Sequence, residues 1–126
     1  MADLSFDDTK VSAVLARVTG SGGLPLTDYH QRRMLSWYRT LFKRGLTKVD
    51  LILDFEKVSA GYKRAFPNAN TRAQHIRGFL AYVSGLNQDE FSAEFPGTDR
   101  RSVVETMRKV NSEAIKESRA AKAEGE

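Results

Sequence analysis

The chain has 126 residues, no cysteine, 20 Lys+Arg against 16 Asp+Glu, and an isoelectric point near 9.5. That length fits one domain able to bury most of its apolar surface unaided, and the lack of cysteine excludes disulfide staples, thiol catalysis and thiolate metal or iron–sulfur sites. No apolar run approaches the ~20 residues that a membrane-spanning helix needs, and the acidic start MADLSFDDTK lacks the basic and apolar regions of a signal peptide, so an intracellular protein is expected.

The formal charge of +4 is unevenly placed. Residues 1–27 hold two basic and three acidic side chains, net −1, and residues 83–126 hold seven and nine, net −2. Residues 28–82 hold eleven basic and four acidic, net +7. The field at a surface follows nearby charge, so the middle segment is where an anionic partner would be drawn.

Taken in chain order, the pattern is helical throughout. Ser5-Phe6-Asp7-Asp8 opens a first helix, with Ser5 as N-cap and acids in the first turn. Val11, Val14, Leu15 and Val18 then recur at i, i+3, i+4 and i+7, one apolar stripe. Thr19-Gly20-Ser21-Gly22-Gly23 reads as a flexible linker, which leaves the leading helix either mobile or docked. Thr27 or Asp28 caps a second helix that runs to about Arg44 and stops at Gly45, a left-handed C-terminal position. Its apolar side carries Met34, Leu35, Tyr38, Leu41 and Phe42. The opposite side carries Arg32, Ser36, Arg39, Thr40 and Lys43, with Arg33, Trp37 and Arg44 along one border.

Thr47-Lys48-Val49-Asp50 has the spacing of a capping box and opens a short helix. A further helix, about 54–66, carries Phe55, Val58, Tyr62, Ala65 and Phe66 and is closed by Pro67. Asn68-Ala69-Asn70 reads as a turn, and Thr71-Arg72-Ala73-Gln74 as a second capping box opening a helix with Ala73, Ile76, Phe79, Leu80 and Val83, capped by Gly85. Phe91 and Phe95 mark a short helix before Pro96-Gly97. A last helix from Thr98 or Asp99 carries Val103, Met107, Val110 and Ala114, and its mixed charges read as a solvated outer face. The expectation is an all-α, single compact bundle of about five helices: a glycine-linked N-terminal helix over 1–23, a helical core over 24–116 and a frayed polar tail over 117–126.

Catalytic chemistry is scarce. His30 and His75 lie on different helices, and no zinc, calcium-loop, P-loop or nucleophile-elbow pattern occurs, so no metal, cofactor or enzymatic activity is expected. Two features point to binding instead. The first is the basic face Arg32, Arg33, Arg39, Lys43, Arg44, with only Asp28 to offset it; a row of cations suits a phosphate backbone, and the guanidinium fork binds phosphate with paired hydrogen bonds. The second is the junction of two helices over residues 62–77. There Lys63, Arg64, Arg72, Gln74, His75 and Arg77 surround a turn in the manner of a helix-turn-helix, in which the start of the second helix reaches base edges.

The segment Thr47-Lys48-Val49-Asp50-Leu51-Ile52-Leu53-Asp54-Phe55-Glu56-Lys57-Val58, followed by residues 62–83, resembles the N-terminal core-binding (SAM-like) domain of tyrosine recombinases, the integrases of phages and large DNA viruses. The likeness covers about residues 28–116 and consists of helix order and soft consensus. It implies a helical bundle that clamps DNA from one side and takes part in DNA recombination. The family's catalytic Arg, Lys, His-x-x-Arg and Tyr belong to a second domain, and His75-Ile76-Arg77 has the wrong spacing to replace them. The expected function is therefore a non-catalytic module for duplex DNA. The alternative is a viral or phage adaptor that docks on a protein, or on itself, through its first and last helices.

Overall fold

A computed structural model describes residues 6–124. Seven helices follow in order: α1 (Asp8–Leu15), α2 (Asp28–Lys43), α3 (Val49–Ile52), α4 (Phe55–Ala65), α5 (Ala69–Gly85), α6 (Gln88–Glu94) and α7 (Arg100–Glu124). No strand occurs among the described residues; one isolated bridge joins Thr19 to Pro25. The fold is all-α, with more helices than the five or so expected.

Local side-chain chemistry sets most of the boundaries. Asp7 caps α1 by accepting from the Lys10 amide at 3.0 Å, while Ser5, the expected cap, lies outside the described residues. Thr27 caps α2, accepting from the His30 amide at 3.2 Å. Asp54 is extended (φ −106°, ψ 102°) and accepts from the Lys57 amide, which separates α3 from α4. Asn68 does the same for α5 through the Thr71 amide at 3.0 Å, so that helix starts before the expected Thr71–Gln74 box. A reciprocal capping box is formed at Asn87 and Glu90, at the start of α6.

α5 is the central helix, with α2 packed on one flank and α7 on the other; α1 lies across α2 and α5, and α4 supports α7. The apolar stripes meet there: Tyr38 and Leu41 of α2, Tyr62 of α4, Phe79 and Tyr82 of α5 and Met107 of α7 are all buried. Two glycines set the spacing of this packing. A Cβ on Gly78 would lie 2.6 Å from Trp37 Cβ and 3.0 Å from the Met34 carbonyl, so only hydrogen lets α2 come this close. Gly85 plays the same part against α1, where a Cβ would lie 2.8 Å from the Val14 carbonyl. Gly85 is still helical and is not the cap expected of it; the C-cap is Leu86. Gly45 does turn the chain at φ 72° after α2.

The glycine-rich segment is a closed loop. Gly20 donates to the Leu24 carbonyl at 2.8 Å, Leu26 donates to the Val18 carbonyl at 3.4 Å, and Ser21–Gly23 forms a 3-10 turn. α1 is docked: Val11, Val14, Leu15 and Val18 are buried, each side chain contributing about 1.5–3 kcal/mol relative to exposure. At the other end α7 continues as helix through the stretch where fraying is expected. Glu117 ties it down by accepting from the guanidinium of Arg72.

Candidate nucleic-acid interface

α2 turns its polar side outward. Arg32, Arg33, Lys43 and the capping residue Arg44 are exposed, and none of the four forms an ion pair among the described residues. The Arg33 guanidinium sits 5.2 Å from the centre of the Trp37 ring and 5.4 Å from that of Tyr29. Arg44 covers Phe66 at 4.4 Å and donates from Nη1 to the Ala65 carbonyl at 2.8 Å. Phe66 stacks on His75 at 4.3 Å, and His75 lies 6.3 Å from Trp37. Arginine and aromatic side chains thus alternate along one edge of α2: Tyr29, Arg33, Trp37, then across His75 and Phe66 to Arg44. Cation–π contact of this kind is worth about 0.5–1 kcal/mol at exposed sites and restricts the arginine rotamers.

α5 adds to this edge. Gly78 and Tyr82 face α2, with the Tyr82 ring stacked 4.4 Å from Tyr38. Asn70, Arg77 and Ser84 form the exposed strip of the helix, with Gln74 and Ala81 half-exposed beside them. His75 is half-buried, and its Nδ1 donates to the Thr71 carbonyl at 2.8 Å. Burial lowers its pKa from the ordinary 6.5, the Thr71 bond opposes the shift, and the nearby Arg44 charge adds to it.

Of the remaining basic residues expected in the site, Arg39, Lys63 and Arg72 are engaged elsewhere, and Arg64 lies on another side. Arg72 is buried at 3 % exposure, donates to the Phe66 carbonyl at 2.8 Å and pairs with Glu117; it holds α7 to the α4–α5 turn and is inaccessible to a ligand. Lys63 faces the same way, with Glu113 at 3.3 Å and Glu117 at 3.9 Å. Arg64 is exposed in a shallow depression with Leu51 and Ala60, on the α3–α4 side. Arg39 is bound to Asp8, with its Nη2 2.5 Å and its Nε 3.1 Å from Oδ1, and its guanidinium covers Phe6, so it fastens the start of α1. At this turn Arg72 is withdrawn from the surface and Lys63 is paired, while Asn70 and Arg77 of α5 stay exposed and Gln74 half-exposed. α5 is enclosed by α2 and α7, and its first turns put Arg72 inside.

The aromatic partners are the part that charge counting overlooks. Tyr29, Arg33 and Trp37 follow one another at i, i+4 and i+8, a spacing that could have marked them as a stack. The Arg44–Phe66–His75 stack joins three separate elements and has no sequence signal. α7 also differs from its expected mixed face. Glu113 and Glu117 turn toward Lys63 and Arg72, and Arg101, Arg108, Lys116 and Arg119 remain exposed, with Glu105 paired to Arg101 at 3.1 Å.

The stripes of the terminal helices are core. All four large apolar residues of the α1 region are buried, as are Val103, Met107, Val110 and Ala114 of α7. No described helix is long and apolar enough to cross a membrane. Comparison of the chain with known protein families, with characterised proteins and with solved structures finds no match. Function is accordingly read from the side chains themselves.

Proposed function

We propose that the chain is a non-catalytic DNA-binding module that grips the phosphate backbone of duplex DNA with the outward face of α2. The observation that carries this reading is the set Arg32, Arg33, Lys43 and Arg44: four exposed cations without carboxylate partners, two of them held against aromatic rings. A duplex presents one charge per ~1.7 Å of axis, and the 16 residues of α2 extend about 24 Å at 1.5 Å per residue, so several phosphates lie within reach. Guanidinium groups already held on rings lose less rotamer freedom on meeting phosphate than free side chains do. Gln74 and Arg77, on the adjoining strip of α5, supply groups able to reach sugar or base edges. The likeness to a recombinase core-binding domain is part of the same proposal and is supported by the helix order over residues 47–83. With DNA as its partner, the module acts inside a cell.

The test is a fluorescence-anisotropy titration of a labelled duplex at several salt concentrations. Contact with three to five phosphates gives a log–log slope of about −2.7 to −4.5, at ~0.9 per phosphate. Absent binding, or binding indifferent to salt, would overturn the proposal.

A further inference from the structure

On the other shoulder of α2 lies a cavity of about 790 Å³, between Phe6 and Asp8 at the start of α1, the C-terminal half of α2, the α2–α3 loop and the end of α6. Its size falls within the ~300–1,000 Å³ of small-molecule sites. Phe6, Tyr38, Phe42 and Phe95 supply aromatic walls, and the first three rings meet edge to face with centres 5.3–6.4 Å apart. Aromatic walls with fixed edges favour a planar ring inserted among them.

The polar groups decide the charge of the occupant. Two carboxylates line the cavity, and both are engaged. Asp8 holds Arg39, and Glu94 accepts from the Tyr38 hydroxyl at 3.2 Å, from the Tyr82 hydroxyl and from Lys10 at 3.4 Å. Two further cations, Lys43 and Lys48, line it and form no ion pair among the described residues. Gly45 lies between them in sequence at φ 72°, and the Lys48 stem passes 3.6 Å from where its Cβ would be. The cavity thus combines aromatic walls with two lining lysines that have no carboxylate partner among the described residues.

We infer that this cavity is a binding site for a small planar aromatic anion, with the ring among Phe6, Phe42 and Phe95 and the acidic group on Lys43 and Lys48. The site shares Lys43 with the proposed DNA face, so it is tested without DNA, on the free full-length protein with 2-naphthoate, followed by amide NMR shifts. Saturable shifts confined to the surroundings of Phe6, Phe42, Thr47 and Phe95 are expected. The affinity should fall about tenfold in the Lys43→Ala/Lys48→Ala double variant, which removes two charge-assisted contacts at exposed positions and leaves the core intact. Arg32→Ala, outside the cavity, should leave it unchanged. The uncharged 2-naphthalenemethanol should bind at least about tenfold more weakly, because it leaves both ammonium groups unmatched. Naphthalenemethanol binding as well as naphthoate would assign an apolar occupant and overturn the inference. So would shifts scattered over the chain, absence of saturation, or unchanged affinity in the double variant.

Discussion

α2 and α7 carry the same net charge of +3, four basic and one acidic residue in α2 against seven basic and four acidic in α7, yet they differ as surfaces. On α2, Arg32, Arg33 and Lys43 are exposed while Arg39 is tied to Asp8, and rings hold Arg33 and, just past the helix end, Arg44 in place. On α7 two acids turn inward to hold Lys63 and Arg72, Lys109 lies 5.7 Å from the Phe55 ring centre, and Arg108, Lys116 and Arg119 have no ring or carboxylate partner among the described residues. Equal charge therefore gives unequal binding surfaces. What separates them is whether the cations are already ordered before a polyanion arrives.

The largest effect comes from the inward side of that contrast. Arg72→Met removes the donor to the buried Phe66 carbonyl and the partner of Glu117, and should cost about 3 kcal/mol in urea unfolding, with little change in the DNA affinity of the folded protein. A matching loss of affinity at unchanged stability would put Arg72 in the interface and remove the distinction between buried and presented cations.

Gly78→Ala tests the frame that positions α2. The added methyl meets Trp37 Cβ at 2.6 Å and the Met34 carbonyl at 3.0 Å, and should destabilise by about 2 kcal/mol despite the gain in helix propensity. The indole fluorescence should shift as Trp37 is displaced. A neutral or stabilising result would show that α2 and α5 separate without cost.

Reversing charge on α7 sharpens the comparison from the other side. Arg108→Glu/Arg119→Glu changes the net charge by four, yet should weaken duplex binding less than about threefold, because these residues act only through the long-range field. A loss as large as that of Arg33→Glu/Arg44→Glu would mean that charge alone governs the interaction.

The smallest effect concerns His75. Its folded pKa lies below the ordinary 6.5, so the unfolded chain binds the proton more readily, and stability is lost as pH falls from 6.5 through the folded value. Above 6.5 no change is expected. The loss should vanish in His75→Gln, whereas Glu113, whose pKa is lowered below 4.5 chiefly by its bond from Ser59, adds its own loss only at more acidic pH. Parallel unfolding curves at pH 7.5 and 5.5 for the two proteins check this.

The sequence carried the fold class and most of the core, because apolar residues at helical spacing report burial directly: Val103, Met107, Val110 and Ala114 are each buried, as their spacing demands. Helix starts were harder to place. Asn68 and Thr71 are both good caps, and only the chain's path chooses between them. The candidate site was legible as charge on α2 and much less so as geometry. Arg72 looks like any exposed arginine in the sequence, since its burial depends on the α4–α5 turn presenting a carbonyl to it. Phe66 looks like a core residue and His75 like a contact at the turn, and their stacking beneath Arg44 requires three elements to meet. Gly85 reads as a cap, although its role is to admit α1.

The central claim is that pinned arginines on α2 contact DNA phosphates, and the salt dependence of the Arg33→Ala/Arg44→Ala double variant tests it most directly. Losing two phosphate contacts should weaken duplex binding about tenfold or more at moderate salt and make the log–log slope shallower by about two, with unfolding stability changed by less than about 1 kcal/mol. An unchanged slope and affinity in a stably folded double variant would contradict the account.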